Sequence, residues 1–495
     1  MNEHTHGTDT SENTGEASRL PKPDPKQIDR KGRLGMPSHL PLKQDPAVRV
    51  HNWDEVSFLF DPEIAKAEAQ RCIQCPAAPC QKACPVHNDI PWAFWQLEHG
   101  DITAAADIFR DTSALPEMCG RLCPQERLCE GHCVVGKNAA PVAIGKLEVF
   151  VTEWQRKNDA YRPAPAAAST GKTVAIVGSG PAGIGAAERL ARNGHAVTIF
   201  EAWPKPGGLL RYGIPNFKQN KPAVDRKFVE LEAMGVRCVT DTFVGRDLPM
   251  ADIERDFDAV FLAFGAPQGS RLGIANEDAP GVFRATEWLV RGNLPPEELP
   301  EAMRTPLPNA QNVVVVGGGD TSMDCVRTGI RIGAPNVTLI YRRTEAEMQG
   351  RTEERKHARE EGVQFEFLTA PVEVVVDAAG HVSALRCRRM RLGEPDESGR
   401  ARPEPVPDSE FDVPADVIVT AIGYNTDPIW GETAPEVNRD SWSRVIVDPS
   451  TMRTSHRGVF AGGDNVNGAD LVVTALADGL KAAAAIDAYL ADGNW

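Results

Sequence analysis

The sequence predicts an α/β protein: a helical N-terminal domain followed by two Rossmann-like nucleotide-binding domains. Three observations lead there. Eight of the eleven cysteines fall within residues 72–133, in a stretch patterned as helix. Two strand, glycine-turn, helix, strand units follow, opening at Lys172 and Asn312. The chain of 495 residues is also too long for one core, so two to four domains are expected.

Residues 1–50 are rich in Pro, Lys, Asp and Ser and poor in aromatics, which predicts a disordered or extended segment draped over the surface. From there to about residue 165 the pattern is helical. Asp61-Pro62 starts a helix, and Glu63–Arg71 runs directly into Cys72. Arg162–Gly171 has linker composition. Lys172–Val177 reads as a buried strand, Pro181–Asn193 as a helix capped by Gly194, and His195–Phe200 as the next strand. The pattern repeats as strand Asn312–Val316, helix Asp320–Ile332, cap Gly333 and strand Asn336–Tyr341. Pro-rich Leu294–Pro308 reads as a hinge between the two units, and Glu394–Pro414 as a second hinge or a surface loop.

Hydrophobic content of 41% and charged content of 25% are ordinary for a globular protein. The net charge of −15 argues against nucleic acid as a partner. The first twenty residues are polar, without a basic start and apolar core, and no run approaches the ~18 apolar residues of a spanning helix. The expectation is a cytoplasmic chain without a membrane partner, whose cysteines stay reduced and bind metal.

The cysteines read Cys72-x2-Cys75-x4-Cys80-x3-Cys84-Pro85 and Cys119-x3-Cys123-x5-Cys129-x3-Cys133. Closely spaced thiolates on a tight loop, completed by a ligand from elsewhere, are what an iron–sulfur cluster needs. Structural zinc is the alternative, but it prefers paired short hooks, and only Cys72/Cys75 is a Cys-x2-Cys. Cys238, Cys325 and Cys387 stand alone and read as semi-buried bystanders.

Gly178-Ser-Gly180-Pro181-Ala182-Gly183 sits between a strand and a helix, the context that gives a glycine fingerprint its meaning. Its second strand ends at Glu201, a carboxylate placed to accept from ribose hydroxyls, so the site suits FAD or NAD(H). The second motif is Gly317-Gly-Gly319-Asp320-Thr321-Ser322, and its strand ends at Tyr341-Arg342-Arg343 without an acid. Two guanidinium groups suit a 2′-phosphate, so this half is read as the NADPH site, with a solvated Arg pair as the bland reading. That contrast leaves FAD for the Glu201 half.

Further segments carry a family resemblance: Cys119–Cys133, Pro141–Glu148, Gly207–Lys218, Gly317–Asp324, Ala461–Asp464 and Gly468–Ala475. Together they resemble the small subunit of bacterial NADPH-dependent glutamate synthase and its relatives, the electron-input half of dihydropyrimidine dehydrogenase and NADPH–ferredoxin transhydrogenase subunits. The resemblance implies a helical domain with two 4Fe–4S clusters at 51–165, and an FAD domain in two parts, 170–293 and 415–495. An NADPH domain at 294–414 would interrupt it. It implies that Gly207, Gly208, Leu209, Arg211, Ile214 and Pro215 contact the flavin. Gly423, Gly463, Asp464, Ala469, Asp470, Leu471, Val472 and Thr474 join the cofactor-binding set. Cys72, Cys75, Cys80 and Cys133 would hold one cluster, and Cys84, Cys123, Cys129 and Glu148 the other. Counting cysteines alone makes Cys119 the eighth ligand, and the choice between Cys119 and Glu148 stays open. The implied activity takes a hydride from NADPH onto FAD and passes electrons through the clusters to a glutamate synthase large subunit. The alternatives are ferredoxin, a pyrimidine-reducing subunit or another acceptor, or a zinc-bearing scaffold without activity. A thioredoxin-reductase-like chemistry is disfavoured because no Cys-x-x-Cys accompanies the nucleotide motifs.

Overall fold

The computed structural model describes residues 19–163, 167–397 and 399–495; part of the linker, 164–166, and the first eighteen residues lie outside them. The helical domain is built on Pro62–Gln70, Ile90–Glu98, Ile102–Thr112, Pro116–Leu122 and Ile144–Lys157. Asp61 caps the first by accepting from the Glu63 and Ile64 amides, with Pro62 at the position where a missing N–H costs nothing. Phe60, Phe94, Phe109, Leu147 and Phe150 fill the core, and Cys72, Cys75, Cys80, Cys129 and Cys133 lie against it.

Behind it stand two parallel five-stranded sheets of the same design. The first runs in the order Val459–Ala461, Ala259–Leu262, Thr173–Val177, Ala196–Phe200, Arg237–Val239. The second runs Val282–Arg284, Val417–Thr420, Asn312–Val316, Asn336–Ile340, Gln364–Glu366. The strands of both βαβ units lie within a residue or two of their sequence-read bounds. Helix Pro181–Arg192 packs on the C-terminal helix Val472–Asp492. A Cβ on Gly479 would stand 2.1 Å from the Ala182 carbonyl oxygen, so only glycine permits that approach.

The sequence boundaries at 293/294 and 414/415 cut through the second sheet. Val282–Arg284 and Val417–Thr420 both hydrogen-bond into it, pairings that no local pattern announces. The chain crosses between the two units instead where Gln268–Gly269 pairs antiparallel with Tyr424–Asn425. Leu294–Pro308 is therefore not the hinge; Leu294 and Leu299 are buried with Tyr212 and Val290. Nor is Glu394–Pro414 a loop. Val382–Pro395 and Ala401–Pro414 form a long hairpin, the outer strand at the edge of a three-stranded antiparallel sheet. Pro403, Pro405 and Pro407 recur at every second position, which puts their missing donors on the side that has no neighbour.

Residues 19–57 are an ordered strap. Arg33 pairs with Glu98 at 2.7 Å on the helical domain. Arg49, fully buried, meets Glu360 and Glu361 at 2.8 Å on the second nucleotide domain. The Val56 amide donates to the Phe217 carbonyl of the first at 3.1 Å. Arg327 and Arg331 close on the same Glu361 and lie over the Phe217 ring. One segment thus holds all three units together.

Candidate functional site

Both glycine turns open into one cavity of about 1080 Å³ between the sheets. From the first unit it is lined by Gly178, Gly180, Pro181, Ala182, Glu201, Gly208, Leu209 and Ile214. The second contributes Gly317, Gly319, Asp320, Thr321, Arg342, Arg343 and Gly423, and the C-terminal segment Gly463, Asp464, Ala469, Asp470, Leu471 and Val472. The helices starting at Pro181, Asp320 and Val472 point their free first-turn amides into this space, the geometry that favours phosphate oxygens.

Gly178 has φ +106°, and a Cβ there would stand 2.3 Å from the Ala263 carbonyl oxygen. Gly317 has φ +153°, and its Cβ would stand 2.3 Å from the Ala421 oxygen. Each turn is thus a position only glycine fits, flush against the neighbouring strand end. Cβ positions on Gly180 and Gly319 meet nothing within 4 Å, so the space beyond them is open to a ligand. Gly183 does not line the cavity; its Cβ would lie 2.1 Å from the Gly178 oxygen, so it seats helix on turn.

Glu201 is buried, and burial raises its pKa against the lowering effect of the Ser179 hydroxyl and of the Ser179 and Trp203 amides. Asp464 is likewise pushed up, to about 7, by burial. Two carboxyls facing the same cavity, Glu201 buried and Asp464 half-buried, both gain from hydroxyl donors. Phe264 and Trp430 stack at 3.9 Å along another wall, and the Lys218–Asp324 pair at 2.8 Å spans the two halves.

Some expected contacts lie elsewhere. Arg211, Gly207, Pro215, Ser322 and Thr474 do not line the cavity. The buried Arg211 guanidinium bonds Pro206 and pairs with Asp225, so it braces the turn that Leu209 and Ile214 present. The Ser322 hydroxyl donates to Ala421, and Thr474 bonds back to Leu471 at the start of its helix. Arg343 lines the cavity but is engaged elsewhere. Its guanidinium is buried, donating to Asp396 at 2.5 Å and to the Ala401 carbonyl at 2.8 Å on the hairpin. Arg342 is exposed and makes no side-chain bond among the described residues.

The cysteines fall into two adjoining groups. Cys72, Cys75, Cys80 and Cys133 surround an apolar cavity of about 20 Å³ walled by Ile73, Ile90, Phe94 and Ile144. Cys84, Cys119 and Cys123 are packed in the core shared with the first nucleotide domain, Cys119 and Cys123 hydrogen-bonded to each other. Cys129 lies within electrostatic reach of Cys84, Glu148 and Cys80, which joins the groups. Burial pushes the Cys80 thiol up to about 12 and the Cys84 thiol up to about 11. Glu148 is buried with Asn88 donating to it at 3.1 Å, and burial with the nearby Cys119 lifts its pKa well above the ordinary carboxyl value. Among the described residues no three Cys, His, Asp or Glu are arranged to hold a single metal ion. Leu122, next to Cys123, lines the nucleotide cavity, and the Pro76–Ala77 turn over the first group is exposed. Cys325 and Cys387 are buried and Cys238 is exposed, none of them near either group by sequence or core.

Residues 49–160 match the family described as "Dihydroprymidine dehydrogenase domain II, 4Fe-4S cluster", and residues 172–479 match "Pyridine nucleotide-disulphide oxidoreductase". The chain is 41% identical to the glutamate synthase (NADPH) small chain of Escherichia coli K12, over 91% of this chain and 96% of that one. The chain belongs to the glutamate synthase small-chain family. A protein of the same bacterium named "Putative oxidoreductase AegA" is 42% identical over 89% of this chain and 68% of its own length. Among solved structures, Mycobacterium tuberculosis FprA in complex with NADPH has a TM-score of 0.55 at 20% identity, covering 65% of this chain and 85% of that one, a likeness of fold. As a family member the chain is an NADPH-dependent oxidoreductase with an N-terminal iron–sulfur domain. No helix among the described residues is long and apolar enough to cross a membrane.

Leu122, Arg127, Lys218 and the Phe264–Trp430 stack are cavity walls outside the sequence-read set. Lys218 was within reach, being the last residue of the Gly207–Lys218 segment. The others come from distant parts of the chain, and nothing in their local pattern marks them.

Proposed function

We infer that the chain is an electron-input subunit: it binds FAD in the Glu201 half and NADPH in the Arg342 half, holds two 4Fe–4S clusters, and serves a glutamate synthase large subunit. When bound, these groups supply the chemistry, a hydride entering from NADPH and single electrons leaving through iron and sulfide. The observation that carries the reading is that both dinucleotide turns face one cavity whose wall includes Leu122, beside Cys123 of the iron–sulfur domain.

The residues fit the groups. Gly178 closes the turn against Ala263, Gly180 leaves the space over the helix start open to a pyrophosphate, and Glu201 offers a buried acceptor to ribose hydroxyls. Gly317 and Gly319 play the same two parts in the second half, where Tyr341 stands in the place of the acid and the next residue, Arg342, presents an uncommitted cation to a 2′-phosphate. Phe264 and Trp430 wall off water along one side. Buried thiols with raised pKa values are neutral alone; iron would hold them as thiolates, offsetting the cost of burying charge. The cysteine gaps of two, four and three residues, then three, five and three, rather than paired short hooks, suit a cube of irons and sulfides better than zinc. Cys72, Cys75, Cys80 and Cys133 would hold the outer cluster. Cys84, Cys123 and Cys129 would hold the inner one with Glu148, a buried carboxyl that accepts from Asn88; Cys119 bonds its neighbour Cys123.

The second reading keeps this module and changes the acceptor. AegA, as similar as the synthase subunit, is a longer protein with its own name, so the module is not tied to one partner by likeness alone. Mixing the holoprotein with a glutamate synthase large subunit and NADPH tests the choice. Glutamate formed from glutamine and 2-oxoglutarate supports the first acceptor, and NADPH oxidation that needs ferredoxin instead supports the second.

A further inference from the structure

A second, smaller cavity of about 500 Å³ opens where the iron–sulfur domain meets the NADPH half. Its walls are Glu126 and Arg127 from the loop between Cys123 and Cys129, Met348–Gly350 from the segment after strand Asn336–Ile340, and Arg400 and Ala401 from the hairpin. Arg127, Gln349 and Arg400 line the large cavity too, so the two spaces communicate. Arg127 is exposed and makes no side-chain hydrogen bond or ion pair among the described residues. Across the same space Ala401 accepts from Arg343, one of the two cations the sequence had assigned to the phosphate.

We propose that Arg127 is a specificity-determining residue for NADPH: the iron–sulfur domain reaches across the domain seam and supplies the second cation for the 2′-phosphate, beside an Arg343 whose Nε and Nη2 are held by the hairpin. The proposal rests on the reading of the Arg342 half as the NADPH site. Three features support it. Arg343 has Nη2 held by Asp396 and Nε by the Ala401 carbonyl, which turns it toward the hairpin. Arg342 remains as the strand-end cation, and a dianionic phosphate is best met from two sides. The seam itself is fixed: Arg351 donates to the Arg121 carbonyl at 2.9 Å and to Gln125 at 2.8 Å, while Asp320 of the second glycine motif accepts from the Arg351 amide at 3.0 Å. The loop bearing Arg127 is therefore held in register with the start of the NADPH-binding helix. Selectivity for the phosphorylated coenzyme would then depend on the loop that carries two cluster cysteines.

The test is calorimetric titration of oxidised, cluster-loaded holoprotein with NADP+ and, separately, NAD+, for wild type, Arg127→Gln, Arg127→Lys and Arg342→Gln, with iron content measured on each. Arg127→Gln is expected to weaken NADP+ by about tenfold or more while leaving NAD+ within about twofold, and Arg127→Lys to recover part of the loss. NADP+ affinity unchanged in Arg127→Gln, or lost equally with NAD+, overturns the proposal. If Arg342→Gln selectively weakens NADP+ and Arg127→Gln does not, only the Arg127 role falls. If neither matters, the assignment of the NADPH half falls with it. Arg127 is exposed, so its replacement leaves the core intact, and unchanged iron content verifies that.

Discussion

Replacing Gly178 and Gly317 one at a time by alanine separates the two nucleotide sites. Gly178 sits at φ +106° with its Cβ position 2.3 Å from the Ala263 oxygen and 2.7 Å from its carbon. Those are backbone atoms at the end of a central strand and cannot rotate aside. A left-handed conformation costs a non-glycine residue about 1–2 kcal/mol, and overpacking adds about 1–3 kcal/mol. The turn relieves this strain of about 2–5 kcal/mol by shifting, which withdraws the amides that Gly180 and Ala182 offer the pyrophosphate. Gly317 presents the same problem against Ala421. Even the low end, about 2 kcal/mol, corresponds to roughly thirtyfold in affinity. The assay is flavin content after gel filtration, with NADP+ titration of the same samples and iron content as the control for folding. Gly178→Ala should come out poor in FAD, and Gly317→Ala should keep FAD and lose NADP+. If Gly317→Ala loses flavin and binds NADP+ normally, the assignment of the two halves is refuted.

Glu148→Ala should lower iron and acid-labile sulfide by about half, while Cys119→Ala leaves both at wild-type values; the opposite pattern restores the all-cysteine scheme. Glu361 gives a pH prediction. Burial opposes its ionisation, but Arg327 and Arg331 outweigh that and bring its pKa down to about 2. Because the folded value lies below the unfolded one, the stabilisation of about 3 kcal/mol is complete above about pH 5 and drains away as pH falls toward 2. The melting temperature of wild type should therefore drop more steeply between pH 5 and 3 than that of Glu361→Gln, and parallel curves would contradict the network. Gly479→Ala, whose Cβ would meet the Ala182 oxygen at 2.1 Å, should lower thermal stability and flavin retention together; a wild-type melt would mean the two helices pack more loosely than described.

Local features were legible in the sequence. Each glycine turn, its flanking strands and its helix depend on residues within about thirty positions, and the Asp61-Pro62 cap needs only neighbours. The domain boundaries were not, because Val282–Arg284 and Val417–Thr420 are assigned to the second sheet by partners far along the chain. The Pro-rich hairpin was misread because three alternate prolines look like a loop until an edge is available to face. Glu201 stands where its position predicted. Arg343 was chosen by the same rule, and the hairpin that claims it through Asp396 could not be foreseen. The strap was half legible: low hydrophobicity announced an extended segment, while the buried Arg49 owes its place to Glu361 more than three hundred residues away.

A hydride donor and a chain of clusters that share one cavity should pass electrons within a single chain. Anaerobic addition of NADPH to the purified holoprotein, with flavin and cluster absorbance followed together and metal content measured, reads that transfer. The expected result is about eight irons and one FAD per chain, with flavin bleaching followed by loss of cluster absorbance. Zinc in place of iron, or a flavin that bleaches while the cluster bands stay unchanged in the presence of excess NADPH, would contradict it.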